Sequence, residues 1–322
     1  MDELATTYHA LQQLYDQLIA GKKFVSLPAS IQKIMANITP VPATPVIVPS
    51  DDMAALQKIQ AINARNKKQV QPTLSDDELS FLVDHLGSLQ PAVRDKGVFF
   101  TLGDWLQGGG ATPDQIQWLF KRLQAPDVLY AHILEPDNDA VFLRSFAVMI
   151  LSAVVYADRN TYHVLSDQDY NDLVLPVATY IALEQDGRGY VENKGWAHTY
   201  THIGNLLDEL SDVSSLTRAQ KVFLMMTALN GWQRMAHPLV YGEAMRFALY
   251  LTNLALMHQF YAQSLVMALT AWQKRLRHVQ PQESQAFWNR WYNRSRLLEA
   301  CIMRADMPQV VVDYLQKIID AY

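Results

Sequence analysis

"LVDHLGSLQPAVRDKGVFFTLGDWL", Leu82 to Leu106, decides how the rest of the chain is read. An apolar helical pattern ends in a short turn that contains Pro91, and "VRDKG" opens a second helix. Just upstream, Ser75 followed three residues later by Glu78 forms a capping box that marks the start of the first helix. Downstream, Gly108 to Gly110 close the second helix, and Thr112 with Pro113 open the next.

The same pattern extends in both directions. Apolar residues at helical spacing predict helices over 139–158, 167–184, 194–211, 215–229, 237–260, 262–278, 283–304 and 307–321. Asp2 to Ala20 and "LPASIQKIMANI" predict a helical hairpin at residues 1–39. Pro40, Pro42, Pro45 and Pro49 then forbid a regular helix, so residues 40–50 read as an extended connector. Residues 51–74 follow as a polar helix and loop, with acids first and lysines last as the helix dipole favours. No alternating run flanked by hairpin dipeptides argues for strands. The chain therefore reads as all-α. Helix pairs recurring at roughly 40-residue intervals over 75–322 match HEAT or armadillo-like arrays, with Leu82 to Leu106 as the clearest unit; an α/α toroid or a compact helical bundle is the alternative stacking.

Composition narrows the function. Half of the 322 residues are hydrophobic and 18% are charged, which suits a globular chain. With 27 basic against 32 acidic side chains, the net charge of -5 gives no general attraction for nucleic acid or anionic lipid. The single cysteine, Cys301, excludes a disulfide framework within the chain and cysteine-based zinc sites, and suits a reducing cytoplasm. The acidic beginning "MDELATTYHALQQLYDQL" does not resemble a secretion signal. "FAVMILSAVVYA", Phe146 to Ala157, is too short for a membrane span and reads as a buried helix.

One stretch combines unusual chemistry: "DGRGYVENKGWAHTYTH", Asp186 to His202. Gly187 and Gly189 permit a sharp turn that presents Asp186 and Arg188 in fixed directions, unless they merely end the preceding helix. On a helix drawn from Asn193, Trp196, Tyr200, Ile203, Leu207 and Leu210 fall on the packed stripe, while His198, His202, Asn205 and Glu209 share the opposite one. Neither histidine is then expected in the core. On a solvated face they would be ordinary polar residues; on a groove-lining face they would contact a ligand or, with a third ligand, a divalent metal. Glu184, Asp186, His237 and Glu243 are the candidates for that third position. Arg144, embedded in "AVFLRSFAVMILSAVVYA", needs either a carboxylate, with Glu184 or Asp186 eligible, or a route into water from the helix start.

These residues also carry a likeness. "RSFAVMIL" at Arg144, "EQDGRGYVENKGWAHTYTHIGNLLDEL" at Glu184 to Leu210 and "HPLVYGEAMRFA" at His237 resemble the motifs of the bacterial domain-of-unknown-function family 2785, over roughly Ser75 to the end. The resemblance implies a helical fold and a shared cluster of Arg144, Asp186, Arg188, Lys194, Trp196 and His198, and no activity.

Near the carboxyl end, Lys274, Arg275, Arg277, Arg290, Arg294, Arg296 and Arg304 interleave with Trp272, Trp288, Trp291 and Tyr292. Such a pattern suits a nucleic-acid strand, but the acidic chain favours an amphipathic helix pair with core tryptophans. No GxSxG elbow, HExxH motif or phosphate loop occurs. Two classes remain: a binding or scaffold protein that takes a protein, peptide or small anion at the "GWAH" segment, needing no cofactor, and a hydrolase using His198, His202 and Asp186, with or without a metal.

Overall fold

The computed structural model describes residues 3–319. The expected outer ends of the first and last helices, at Asp2 and at 320–321, lie outside these residues. The chain is all-α, and helix follows helix from Glu3–Ile19 to Gln309–Ile318. Among the described residues the one departure is a two-stranded hairpin, Tyr190–Val191 with Gly195–Trp196. Most expected helices lie within a few residues of their predicted spans, and the caps explain why. Ser75 Oγ accepts from the Glu78 N–H (3.2 Å) while Glu78 Oε2 accepts from the Ser75 N–H (2.9 Å). Thr112 and Gln115 repeat that reciprocal pair at the next helix start.

Two spans were misjudged. The helix expected at 237–260 is Glu243–Met257, and Gly242 at φ 97° precedes it. The helix expected at 194–211 is Thr199–Ser211, because Asn193, Gly195 and His198 all take positive φ, which an α-helix cannot contain.

Two compact units are interleaved along the chain. One comprises 41–169 and 188–209. Its centre is the helix Val141–Ala157, flanked by Phe100–Gln107 and Pro113–Leu123. Val141–Tyr162 is long and apolar enough to cross a membrane by composition, but 78% of the relevant window is buried inside the protein. It is a core helix. The proline segment runs extended along this unit, with the Val41 N–H donating to Leu134 O (2.9 Å) and Thr44 Oγ1 donating to Glu135 Oε1 (2.6 Å).

The other unit comprises 1–40, 170–187 and 210–322. Glu243–Met257 packs between Gln259–Leu276 and Gln285–Ile302, and Arg218–Arg234 receives the amino-terminal hairpin. That docking is specific: Gln220 Nε2 donates to Tyr15 Oη (2.8 Å), the Tyr15 ring meets Phe223 edge-on at 5.4 Å, and Phe24 stacks on Phe260 at 5.4 Å.

Candidate functional site

The hairpin at Arg188 to His198 owes its shape to "ENKG". The Lys194 N–H donates to Val191 O (3.0 Å), closing a turn whose third residue, Asn193, sits at φ 61° where asparagine is tolerated. Tyr190 then opposes Trp196 and Val191 opposes Gly195. A further bond from the Ala197 N–H to Gly189 O (2.8 Å) lengthens the ladder.

What fixes this hairpin is a guanidinium that the sequence reading passed over. Arg94 is wholly buried, at 0% exposure. Its Nη1 donates to Ser88 O (2.6 Å) and its Nη2 to Lys194 O (2.7 Å), which ties the hairpin turn to the interior. The plane lies over the rings of Phe142 (4.2 Å) and Phe146 (4.9 Å). Its Nε stands 2.7 Å from Asp95 Oδ1, an ion pair whose angles fall short of a hydrogen bond. Burial pushes the Asp95 carboxyl up, and Arg94 pulls the other way. Arg94 heads a widened π-helical turn, Arg94–Phe99, that sets the guanidinium apart from the regular helix Phe100–Gln107. A Cβ on Gly195 would lie 2.8 Å from Pro91 Cγ and 3.2 Å from Arg94 Nη2, so the strand reaches the anchor only because residue 195 is glycine. The signal was present in the sequence: Arg94 shares a helical stripe with Val98, Thr101 and Trp105, and an arginine there needs buried acceptors.

Three predicted site residues join this anchor. Lys194 Nζ reaches both carboxylate oxygens of Asp139, at 2.7 and 2.8 Å. Arg188 Nη2 donates to Asn138 O (2.7 Å). Arg144 is buried, so it does not snorkel into water; its Nη1 donates to Ala131 O (2.7 Å) and to Asn138 Oδ1 (3.4 Å).

The histidines differ from expectation. His198 is not on the helix: it sits at φ 53° just before Thr199, half-buried, its ring 4.2 Å from that of Trp196. Its Nε2 is enclosed without a hydrogen-bond partner among the described residues, and burial lowers its basicity. His202 is a core residue, at 7% exposure. Its Nδ1 lies 2.9 Å from Ser145 O, and since a carbonyl only accepts, Nδ1 carries the proton. Its ring meets Phe146 edge-on at 5.2 Å. Burial pulls it down to about 3, against the Ser145 bond, so the imidazole is neutral. The stripe opposite Tyr200 and Ile203 is covered by the helix Val141–Ala157, and that is why the wheel misplaced it. Trp196, expected on the packed stripe, is instead 38% exposed on the second strand, with its ring 5.1 Å from Tyr190, itself 48% exposed.

The remaining candidates belong to the other compact unit. The Asp186 N–H donates to Glu184 Oε1 (3.0 Å), and both side chains are buried. The Gly187 N–H donates to His237 Nδ1 (3.3 Å), and an Asp186 carboxylate oxygen lies within 4.8 Å of a His237 ring nitrogen. A Cβ on Gly187 would meet the end of the flexible Met235 side chain and lie 3.1 Å from His237 Cβ. Glu243 is buried in the first turn of its helix: Oε2 accepts from the Tyr241 N–H (2.7 Å), Oε1 has no hydrogen-bond partner among the described residues, and burial raises its carboxyl.

Chemically, the hairpin region is better equipped to hold a shape than to move protons. His202 is committed to Ser145, and no third histidine, cysteine or carboxylate among the described residues groups with His198 and His202 closely enough to share an ion. The hairpin exposes two aromatic rings, Tyr190 and Trp196, in edge-to-face contact. No curated protein and no solved structure matches the chain. The family model described as Protein of unknown function (DUF2785) matches residues 129–303, a narrower span than the likeness from Ser75 onward, and takes in Arg144, the whole hairpin and His237. With more than half of its length matched, the chain belongs to that family.

Proposed function

We propose that the protein is a binding or scaffold protein, built on helical pairs of the HEAT type, whose recognition element is the Arg188 to His198 hairpin and whose ligand is a peptide segment of a partner protein. The observation that carries this reading is the Tyr190–Trp196 pair, exposed on a hairpin whose underside is locked by Arg94 and by the Lys194–Asp139 ion pair. Large, rigid aromatics give contact area at little conformational cost, which is how binding hot spots are made. The helices Asp76–Asp84 and Pro91–Val93 to Phe100–Gln107, joined through a short turn, favour the repeat reading.

Selection of displayed peptides against the wild type, with the Tyr190→Ala, Trp196→Ala double variant as counter-target, tests it. The expected result is a set of peptides that change tryptophan fluorescence and bind the variant at least about tenfold more weakly. Peptides that bind both proteins equally would refute it. A second reading, a metal-assisted hydrolase, is favoured by the approach of Asp186 to His237. Metal analysis after dialysis against zinc or manganese separates the two, because stoichiometric metal lost on His237→Ala would support the hydrolase.

A further inference from the structure

The interleaved arginines and tryptophans near the carboxyl end converge on a second feature, inside the unit that contains residues 210–322. A cavity of about 280 Å³ opens between the last turns of Arg218–Arg234 and Gln259–Leu276 and the first turns of Gln285–Ile302. That is the size of a one- or two-ring molecule. Four arginines line it, Arg234, Arg275, Arg290 and Arg294, and no acidic side chain among the described residues does.

The four are not equivalent. Arg294 is buried and spent on the fold, donating from Nη2 to Gln273 Oε1 and Ile318 O, both at 2.8 Å. Arg234 donates to Ala182 O (2.8 Å). Arg275 holds Gln233 Oε1, and burial lowers its basicity with no carboxylate to offset the cost. Arg290, half-buried, has no hydrogen bond or ion pair among the described residues. Arg275 and Arg290 thus stand in a partly enclosed space with no carboxylate partner among the described residues, and an anion would relieve the repulsion between them.

Two further observations say what kind of anion. Flat walls are supplied by Trp272 and Trp291, with Phe287 stacked on Trp291 at 25° and 6.2 Å. Deep in the lining, Asn230 is 3% exposed; its Nδ2 donates to Met226 O (2.8 Å), while Oδ1 is enclosed with no donor among the described residues. A buried amide oxygen without a partner costs free energy that a ligand N–H or O–H recovers. We infer that this cavity is a binding site for a small planar aromatic carboxylate carrying a hydrogen-bond donor: the carboxylate on Arg290 and Arg275, the ring between the indoles, the donor on Asn230 Oδ1. Guanidinium matches a carboxylate through two parallel N–H···O bonds, and an indole face accepts a flat ring.

The site is independent of the hairpin, so neither proposal's failure touches the other. The test uses the full chain and three probes, 4-hydroxybenzoate, indole-3-carboxylate and orotate, read by tryptophan quenching and calorimetry, with 4-hydroxybenzamide and inorganic phosphate as comparisons. At least one acid is expected to bind with Kd below about 1 mM, and at least about tenfold more tightly than phosphate or, for 4-hydroxybenzoate, than its amide. Arg290→Met, which removes a side chain with no bond in the fold, is expected to weaken that acid at least about tenfold with unchanged thermal stability. Absence of binding by all three acids, equal binding of acid and neutral amide, phosphate binding as tight as the acids, or an unaffected Arg290→Met variant would each overturn the assignment. The amide comparison requires no variant, so the outcome stands even if a substitution perturbs folding.

Discussion

Acidification should destabilise this protein through His202, and the size of the effect follows from its surroundings. In the unfolded chain an imidazole takes up a proton near its ordinary value of 6.5; in the folded chain the ring resists protonation down to about 3. Between those values the unfolded state binds the extra proton, so stability falls as pH falls, by up to about 1.4 kcal/mol per unit. Going from about pH 7.5 to about pH 5, the loss from this one group is about 2 kcal/mol, and at about pH 4 it reaches about 3 kcal/mol. Other groups titrate as well, so the measurement is a difference. His202→Asn retains a donor for the Ser145 carbonyl and cannot titrate. Urea unfolding of both proteins across this range should show the wild type losing about 2 kcal/mol more than the variant by about pH 5. In nitrogen-15 spectra of the imidazoles, His202 should remain the neutral Nδ1–H form at that pH. Parallel stability curves, or a His202 ring that titrates near 6.5, would refute both its burial and its structural role.

Three other outcomes follow from the anchor and the core. Arg94→Met strips donors from the Ser88 and Lys194 carbonyls and leaves Asp95 without its partner, so it should cost about 3–5 kcal/mol in urea unfolding. Gly195→Ala places a Cβ against Pro91 and forces a non-glycine residue to φ 79°; a loss of about 1–3 kcal/mol is expected by the same assay. Cys301 is buried, with its thiol pushed up to about 12, so Ellman's reagent should leave the native protein unmodified and label one thiol per chain once it is denatured.

Much of the fold was legible because its signals are local. Ser75 with Glu78 and Thr112 with Gln115 announce helix starts through bonds spanning three residues, and four prolines in ten residues suffice to exclude a helix. The segment Asp186 to His202 stands out in composition, and its pose differs from the helix expected. Asp186 to His202 does gather unusual backbone, but "VENKGWAH" satisfies a helical wheel as well as a hairpin, and only the positive φ of Asn193, Gly195 and His198 distinguishes them. A wheel also reports which residues share a face without saying what covers it; the helix Val141–Ala157 covers the His202 face, and nothing within Thr199–Ser211 encodes that. The role of Arg94 is hidden in the sequence for the same reason, since its acceptors at Ser88 and Lys194 lie on separate segments. At the carboxyl end, alternating arginine and tryptophan was plain, whereas the partition into spent Arg294 and unbonded Arg290 exists only in three dimensions.

The proposed role in binding requires that Arg94 hold the hairpin rigid from beneath. Residue-resolved hydrogen exchange tests this most directly at the Ala197 amide, which donates to Gly189 O at 2.8 Å. Protection comparable to that of the core helix Val141–Ala157, lost in Arg94→Met while that helix stays protected, is the expected result. Exchange of Ala197 at the rate of an unstructured chain in the wild type, or protection indifferent to Arg94, would contradict it.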